Sequence, residues 1–254
     1  MLLAVDVGNT NVVFGAHNGG WRHQWRVRTV RDKMADEYGV LFRMLLREEG
    51  LSLADFDRIV IASVVPALTG RLEEIFAGYS AVTPLIVSHK NTPGIRFAVN
   101  NPGEVGADLI ANAVAAYDRI QGACIVVDFG TATTFTAVSG EGEFLGVALA
   151  PGMNLAASAL AGQTAQLPQV RLAAPEHAIG VNTIYAIQSG VVLGYVGLVE
   201  GLIRRFRDEM QANAAVIATG GLSSVIAPLT DCFSEVDPWL TLDGVRLIGE
   251  RSAT

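Results

Sequence analysis

The chain has 254 residues, 50% hydrophobic and 17% charged, and its 25 acidic against 18 basic side chains give a formal net charge of −7. A chain of this size and apolar content closes a core without disulfide or metal staples, which excludes disordered and fibrous classes. With Lys33 and Lys90 as the only lysines, no basic stripe exists to follow a nucleic-acid backbone.

Apolar β-branched runs predict strands over Leu2–Val7, Asn11–Ala16 and Gln24–Arg28. Arg22, Arg26, Arg28 and Arg31 read as the solvent face of the third strand and its turn, with anion binding as the alternative. Helical spacing follows over Asp32–Glu49, a strand over Arg58–Ser63, and a helix over Pro66–Ala77 with Pro66 suited to its first turn. A short strand over Leu85–Val87 and a helix over Glu104–Ile120 complete the first half. The second half reads as strands Cys124–Asp128, Thr133–Val138 and Phe144–Ala148, helices Met153–Ala161 and Thr183–Asp208, and a strand Ala214–Ala218. The stretch His177–Val199 carries no formal charge, but Asn182, Gln188 and Ser189 interrupt it, so a buried helix is expected and no membrane span. Cys124 and Cys232 stand in no zinc-binding spacing and read as buried small hydrophobes in a reducing compartment. The N-terminal apolar run has no basic leader, and a cytoplasmic location is expected.

The informative feature is a repeat. Leu2-Leu-Ala-Val-Asp6-Val7-Gly8-Asn9-Thr10-Asn11 returns as Cys124-Ile-Val-Val-Asp128-Phe-Gly130-Thr131-Ala132-Thr133, each a buried strand ending in Asp-x-Gly and followed by a second β-rich run. Two domains follow, residues 1–119 and 120–254. Backbone N–H groups around Gly8, joined by Asn9, Thr10 and Asn11, wrap a phosphate without lysine, and Gly130-Thr131-Ala132-Thr133-Thr134 repeats the design with hydroxyls. Asp6 and Asp128 stand where a phosphate-bound cation needs hard oxygen ligands, although either alone reads equally as a turn cap. No lysine-bearing glycine loop of the G-x-x-x-x-G-K-[ST] kind occurs. Thr219-Gly220-Gly221 either admits a base or ribose close to the backbone or is a plain tight turn. Asp108, with Asn112 one turn further on, is the candidate general base near a positive helix end, with helix capping as the alternative.

In chain order, Asp6-Val-Gly-Asn-Thr10, Ser63-Val-Val-Pro66, Asn101-Pro-x-Glu-Val-Gly-Ala-Asp108 and Asp128-Phe-Gly-Thr-Ala-Thr-Thr134 carry a family resemblance. Ala150-Pro-Gly152, Thr164-Ala-Gln-Leu-Pro168, Gly180-x-Asn-Thr183 with Ser189-Gly190, and Thr219-Gly-Gly221 extend it nearly end to end. The sequence resembles the type III pantothenate kinases of the actin/hexokinase-like superfamily. That resemblance implies an α/β fold of two actin-like, ribonuclease H-like domains with a nucleotide cleft between them. It implies ATP contacts from Asp6, Val7, Gly8, Asn9, Thr10, Asn11, Val12, Val13, Gly130, Thr131, Thr133, Gly220 and Gly221, with Mg²⁺ reached from Asp6 through phosphate. Asp128 would hold a monovalent cation, K⁺ or NH₄⁺, and Asp108 would accept the proton of the pantothenate hydroxyl. Val99, Gly106, Ala107, Leu109 and Thr183 would line the acceptor. The implied reaction is ATP-dependent phosphorylation of pantothenate to 4′-phosphopantothenate, the first step of coenzyme A synthesis, by a homodimer. Gly190, Gly194 and Gly197 on one helix suit its interface or an intramolecular contact equally. Three departures stand out: Leu109 replaces an acceptor-binding arginine, Val99 a tyrosine, and Thr136 an aspartate. They leave two further readings, a weakly active or non-catalytic paralogue acting as a regulatory accessory protein, and a kinase for another small hydroxyl compound.

Overall fold

A strand that is apolar at every position but one has one way to sit in a layered protein. Strand β1 (Leu2–Val7) is buried along its length except at Asp6. The computed structural model describes residues 1–252. Its contacts group into two units, one of Met1–Ile95, Asn100–Ala115 and the stretch from Leu240 onward, the other of Arg96–Val99 and Ala116–Trp239.

In the first unit β1 is central. Strand β2 (Asn11–His17) and then β3 (Trp21–Arg28) add antiparallel on one side, and β4 (Arg58–Ser63) and the short β5 (Leu85–Ile86) add parallel on the other. Helix α1 (Ala35–Glu48) carries Phe42 onto Phe14 of β2, helix α2 (Pro66–Tyr79) carries Phe76 onto Phe42, and these rings centre one core. In the second unit the order is β11 (Glu235–Val236), β10 (Ala215–Thr219), β7 (Cys124–Phe129), β8 (Ala132–Val138), β9 (Glu143–Pro151) and β6 (Arg96–Phe97). Its core lies under α4 (Met153–Gln163) and a long helical run. That run joins α5 (Thr183–Gln188), a π-helical turn at Ser189–Leu193 and α6 (Gly194–Met210). Helices α3 (Ala107–Ile120) and α7 (Ser223–Ile226) complete the connections before the last helix, α8 (Leu240–Arg251).

The two hairpins show the expected kinship: β1 and β7 share one burial pattern, with the aspartate at its single half-exposed position. They differ by one residue in the turn. Val7 pairs with Val12 and Asp6 with Val13, whereas Phe129 pairs with Thr133 and Asp128 with Thr134. The second turn is one residue shorter, so Thr134 faces Asp128 while Thr133 turns inward and is fully buried.

A division at residue 119 places α8 in the second half, whereas its contacts put it in the first unit, and the chain passes from one unit to the other after Ala115 within α3. The sequence gives no strong helix signal there because Gly244 and Gly249 interrupt the run, and glycine disfavours helix. Packing explains both. A Cβ on Gly244 would lie 1.9 Å from the Ala111 carbonyl oxygen of α3, and one on Gly249 would lie 2.4 Å from the Val60 side chain. The helical run Thr183–Met210, expected to be buried, is only about one-third covered along its most apolar stretch, and by length and composition alone it could cross a membrane. Cys124 is buried, and burial pushes its thiol up to about 12, but Cys232 is only half-buried.

Two glycine-to-alanine changes should act in opposite directions. Gly244→Ala should lose about 1–3 kcal/mol from overpacking against backbone that cannot yield. Gly70→Ala, in α2 with nothing within 4 Å of the new methyl among the described residues, should gain about 0.5–1 kcal/mol through reduced chain entropy. Urea denaturation of both variants checks the sign.

Candidate functional site

The first turn closes with the Gly8 N–H donating to the Asn11 carbonyl at 2.9 Å. It is braced by the segment that follows β3. The Thr29 hydroxyl donates to the Gly8 carbonyl at 2.7 Å, the Thr29 N–H to the Thr10 carbonyl at 2.9 Å, and Arg31 Nη2 to Asn9 Oδ1 at 2.7 Å. Asn9 and Thr10 are exposed and Asp6, Gly8, Asn11 and Val13 half-exposed, while Val7 and Val12 point into the core and offer only backbone. Thr29 has no local sequence signal, and Arg31 reads only as part of the arginine run of the third strand, because both meet the turn through the fold and not through sequence neighbours.

The second turn is fixed by backbone contact. Gly130 N–H donates to the Ala132 carbonyl and Gly152 N–H to the Thr131 carbonyl, at 3.1 and 3.0 Å. A Cβ on Gly152 would stand 2.3 Å from that same oxygen. Gly220 has a φ of +87° and lies against Asp128, with 2.4 Å from its absent Cβ to a carboxylate oxygen. The glycine at the third turn is thus required by the second turn it touches, and the Ser223 hydroxyl donates to the Gly220 carbonyl at 2.8 Å.

The surroundings of Asp128 suit a cation. Thr134 of β8 and Thr219 of β10 are its direct cross-strand partners, so the three side chains share one face of the sheet. The hydroxyl oxygens of Thr134, Thr219 and, one pair further, Thr136 are buried with no hydrogen-bond partner among the described residues. Buried oxygens without hydrogen-bond partners next to a carboxylate are hard ligands of the kind a cation takes. Among the described residues no group of three or more His, Cys, Asp or Glu side chains is placed to hold a metal, so the oxygens beside Asp128 here are hydroxyls and not further carboxylates.

Asp108 lies in the first turn of α3, where the helix end favours negative charge, and its Oδ1 accepts the Leu109 N–H at 2.8 Å. Burial dominates nonetheless and raises its carboxyl above the ordinary range. Gly106 leaves room for this group, since a Cβ there would come within 2.5 Å of Oδ1. One turn further, Asn112 is fully buried and accepts the Thr241 hydroxyl of α8 at 2.8 Å. Ala107 and Leu109 are buried, Leu109 at 9% exposure. Asp6–Val13 and Gly106–Leu109 belong to the first unit, and Val99, Asp128–Thr133, Thr183 and Gly220-Gly221 to the second. Thr183 is exposed at the start of α5, whose cap is Asn182 Oδ1 accepting the Tyr185 N–H at 2.9 Å.

Known proteins resemble the chain on two levels. Among solved structures, a putative 2-dehydro-3-deoxygalactonokinase of Sinorhizobium meliloti superposes with a TM-score of 0.58 at 13% identity, covering 98% of this chain and 95% of that one. A putative Baf family transcriptional activator of Campylobacter jejuni gives 0.56 at 20% identity, over 97% and 96%. An activator of the 2-hydroxyisocaproyl-CoA dehydratase of Clostridium difficile, with bound ADPNP, gives 0.52 at 10%, over 98% and 93%. Such identities establish the fold, that of the actin-like ATPases and sugar kinases. Sequence goes further. Relatives named type III pantothenate kinase from Moorella thermoacetica and Anaeromyxobacter sp. (strain Fw109-5) are 47% and 48% identical, each across 99% of this chain and 100% of its own length. With the family profile described as type III pantothenate kinase also matching residues 2–205, the chain belongs to the type III pantothenate kinase family.

Proposed function

We infer that the chain is a phosphotransferase that moves the terminal phosphoryl group of ATP onto the primary hydroxyl of pantothenate, the entry step of coenzyme A synthesis. Asp108 carries this reading. A carboxyl group at a helix start, held by the main-chain N–H groups of Leu109 and of Asp108 itself and otherwise withdrawn from water, is a base whose affinity for a proton has been raised. Phosphoryl transfer asks the protein chiefly for positioning and charge neutralisation. In this proposal the N–H and amide groups of the Gly8 turn, and those of the Gly130 turn, are phosphate donors, and Gly220-Gly221 borders adenosine. Asp6 would hold Mg²⁺ through phosphate, and the ion would spread the charge of the transferring group. Asp128 with Thr134 and Thr219 takes the monovalent cation, K⁺ or NH₄⁺. Val99, Gly106, Leu109 and Thr183 border pantothenate.

We place a homodimer interface on the outer side of the helical run. Ile179 and Val181 are 84% and 85% exposed, Ile184 and Tyr185 about half, and Gly190, Gly194 and Gly197 meet nothing within 4 Å among the described residues. Apolar exposure on this scale favours a covered face. The same partner-covered surface accounts for the apolar helix without a membrane and fits a cytoplasmic enzyme. Relatives named for pantothenate favour this reading over an accessory protein or another acceptor.

Pantothenate-dependent ADP release from ATP, Mg²⁺ and K⁺ is the direct test, and turnover independent of pantothenate would refute it. Asp108→Asn should lower kcat by at least about 100-fold with ATP affinity unchanged. It should also raise the thermal midpoint at neutral pH: a carboxyl whose folded pKa is raised weakens the fold once pH exceeds its unfolded pKa, and the amide removes that cost. For the same reason the acidic limb of kcat/KM in the wild-type enzyme should fall at a pH above the ordinary aspartate range. Gly106→Ala should push the Asp108 carboxylate from its seat and lower kcat about 10-fold or more, with stability nearly intact because the displaced atom is a side-chain end.

A further inference from the structure

The nucleotide turn of the first unit has no lysine. Of the chain's two, Lys33 has its ammonium over the Tyr38 ring, 5.2 Å from the centroid, and Lys90 sits in the loop after β5. Yet a triphosphate brings several negative charges to a turn whose own strand supplies another in Asp6. N–H and amide dipoles solvate such charge but do not neutralise it, and charge-assisted bonds are roughly twice as strong as neutral ones.

The pleat of β3 supplies the missing charge. Trp25 and Val27 face the core, Trp25 stacking on Phe14 with centroids 4.9 Å apart, which turns Arg26 and Arg28 to the opposite, exposed side. Direct cross-strand partners share a face. Arg26 pairs with Val13, Val13 pairs with Asp6, and Arg28 pairs with Asn11. Asp6, Asn11, Val13, Arg26 and Arg28 therefore share one face of the sheet beside the turn, and all are half-exposed or exposed. At about 4.8 Å between strands, Arg28 is one strand from Asn11 and Arg26 two strands from Asp6, distances a guanidinium on its extended stem spans. The end of β3 is also pinned to the turn. Beyond the bonds from Thr29 and Arg31, Arg71 Nη1 donates to the carbonyls of both Arg31 and Lys33 at 2.7 Å, which fixes the segment that carries Arg31.

Building on the kinase reading, we propose that Arg26 and Arg28 form a guanidinium wall of the nucleotide site, donating to non-bridging oxygens of the β- and γ-phosphates, with Arg31 as a positioning residue for Asn9. The chemistry asked of them is bidentate recognition of phosphate, which guanidinium does better than a point-charge ammonium. Arg22, at the far end of the same strand, takes no part.

The test is calorimetric binding of ATP, AMP and inorganic tripolyphosphate to the full chain. Arg28→Gln and Arg26→Gln should each weaken ATP and tripolyphosphate about 10- to 100-fold while AMP affinity and the thermal midpoint stay as in the wild type. The Arg26→Lys/Arg28→Lys double variant should recover part of the loss, and Arg22→Gln should bind as the wild type does. In both glutamine variants the dependence of ATP affinity on salt should flatten, which a purely structural role would not produce. Unchanged ATP affinity in both glutamine variants, or parallel loss of ATP and AMP, overturns the proposal while the kinase reading stands. A wild-type chain that binds neither ATP nor tripolyphosphate overturns both.

Discussion

The structure depends on a pleat. In β1 and in β7 five of six side chains are buried, and the sixth, an aspartate one residue from the strand end, is left at the mouth of a turn. Alternation across neighbouring strands then decides which residues can meet a ligand at all. Val13, Arg26 and Ala62 share the face of Asp6, and Thr134 and Thr219 share the face of Asp128. A one-residue slip in either hairpin would bury the polar set and expose the core set, so the same burial that stabilises each sheet enforces the register of its site.

The two copies of this device are braced differently. The first turn is held by side chains, with Thr29 on Gly8 and Arg31 on Asn9. The second is held by backbone approach, with Gly152 against the Gly130-Thr131 carbonyls and Gly220 against Asp128 and Phe129. The first arrangement keeps exposed, adjustable donors. The second leaves buried hydroxyls with no hydrogen-bond partner among the described residues. Asp108 follows a third scheme, in which Gly106 supplies room, Leu109 supplies one N–H, and desolvation sets proton affinity.

Much of this was legible in the residues, since buried strands ending in Asp-x-Gly announce themselves through composition and spacing. Regular helices did too, because α2 and α3 have unbroken apolar spacing and, in α2, proline at the first position. What stayed hidden depended on contacts distant in sequence. Helix α8 contains glycines that argue against a helix until Ala111 and Val60 are seen occupying the space of their missing methyls. Thr133 and Thr134 read alike in sequence, and only the one-residue difference between the two turns shows that Thr134 shares the face of Asp128 while Thr133 turns inward. The two-residue strands β6 and β11 are too short to show a period. The arginines of β3 looked like an ordinary solvent face, which they are. Only the pairing through Val13 shows that Asp6 shares it.

The return of α8 to the first unit has a consequence for synthesis. The ribosome delivers β1 at the start and its covering helix at the end, while the residues of the second unit, Arg96–Val99 and Ala116–Trp239, have all emerged before α8 begins. The side of β1 and β4 that Gly249 packs against stays open to water and to chaperones throughout elongation. Closure of the first unit therefore waits on residues made after those of the second, so its maturation departs from the usual N-to-C order.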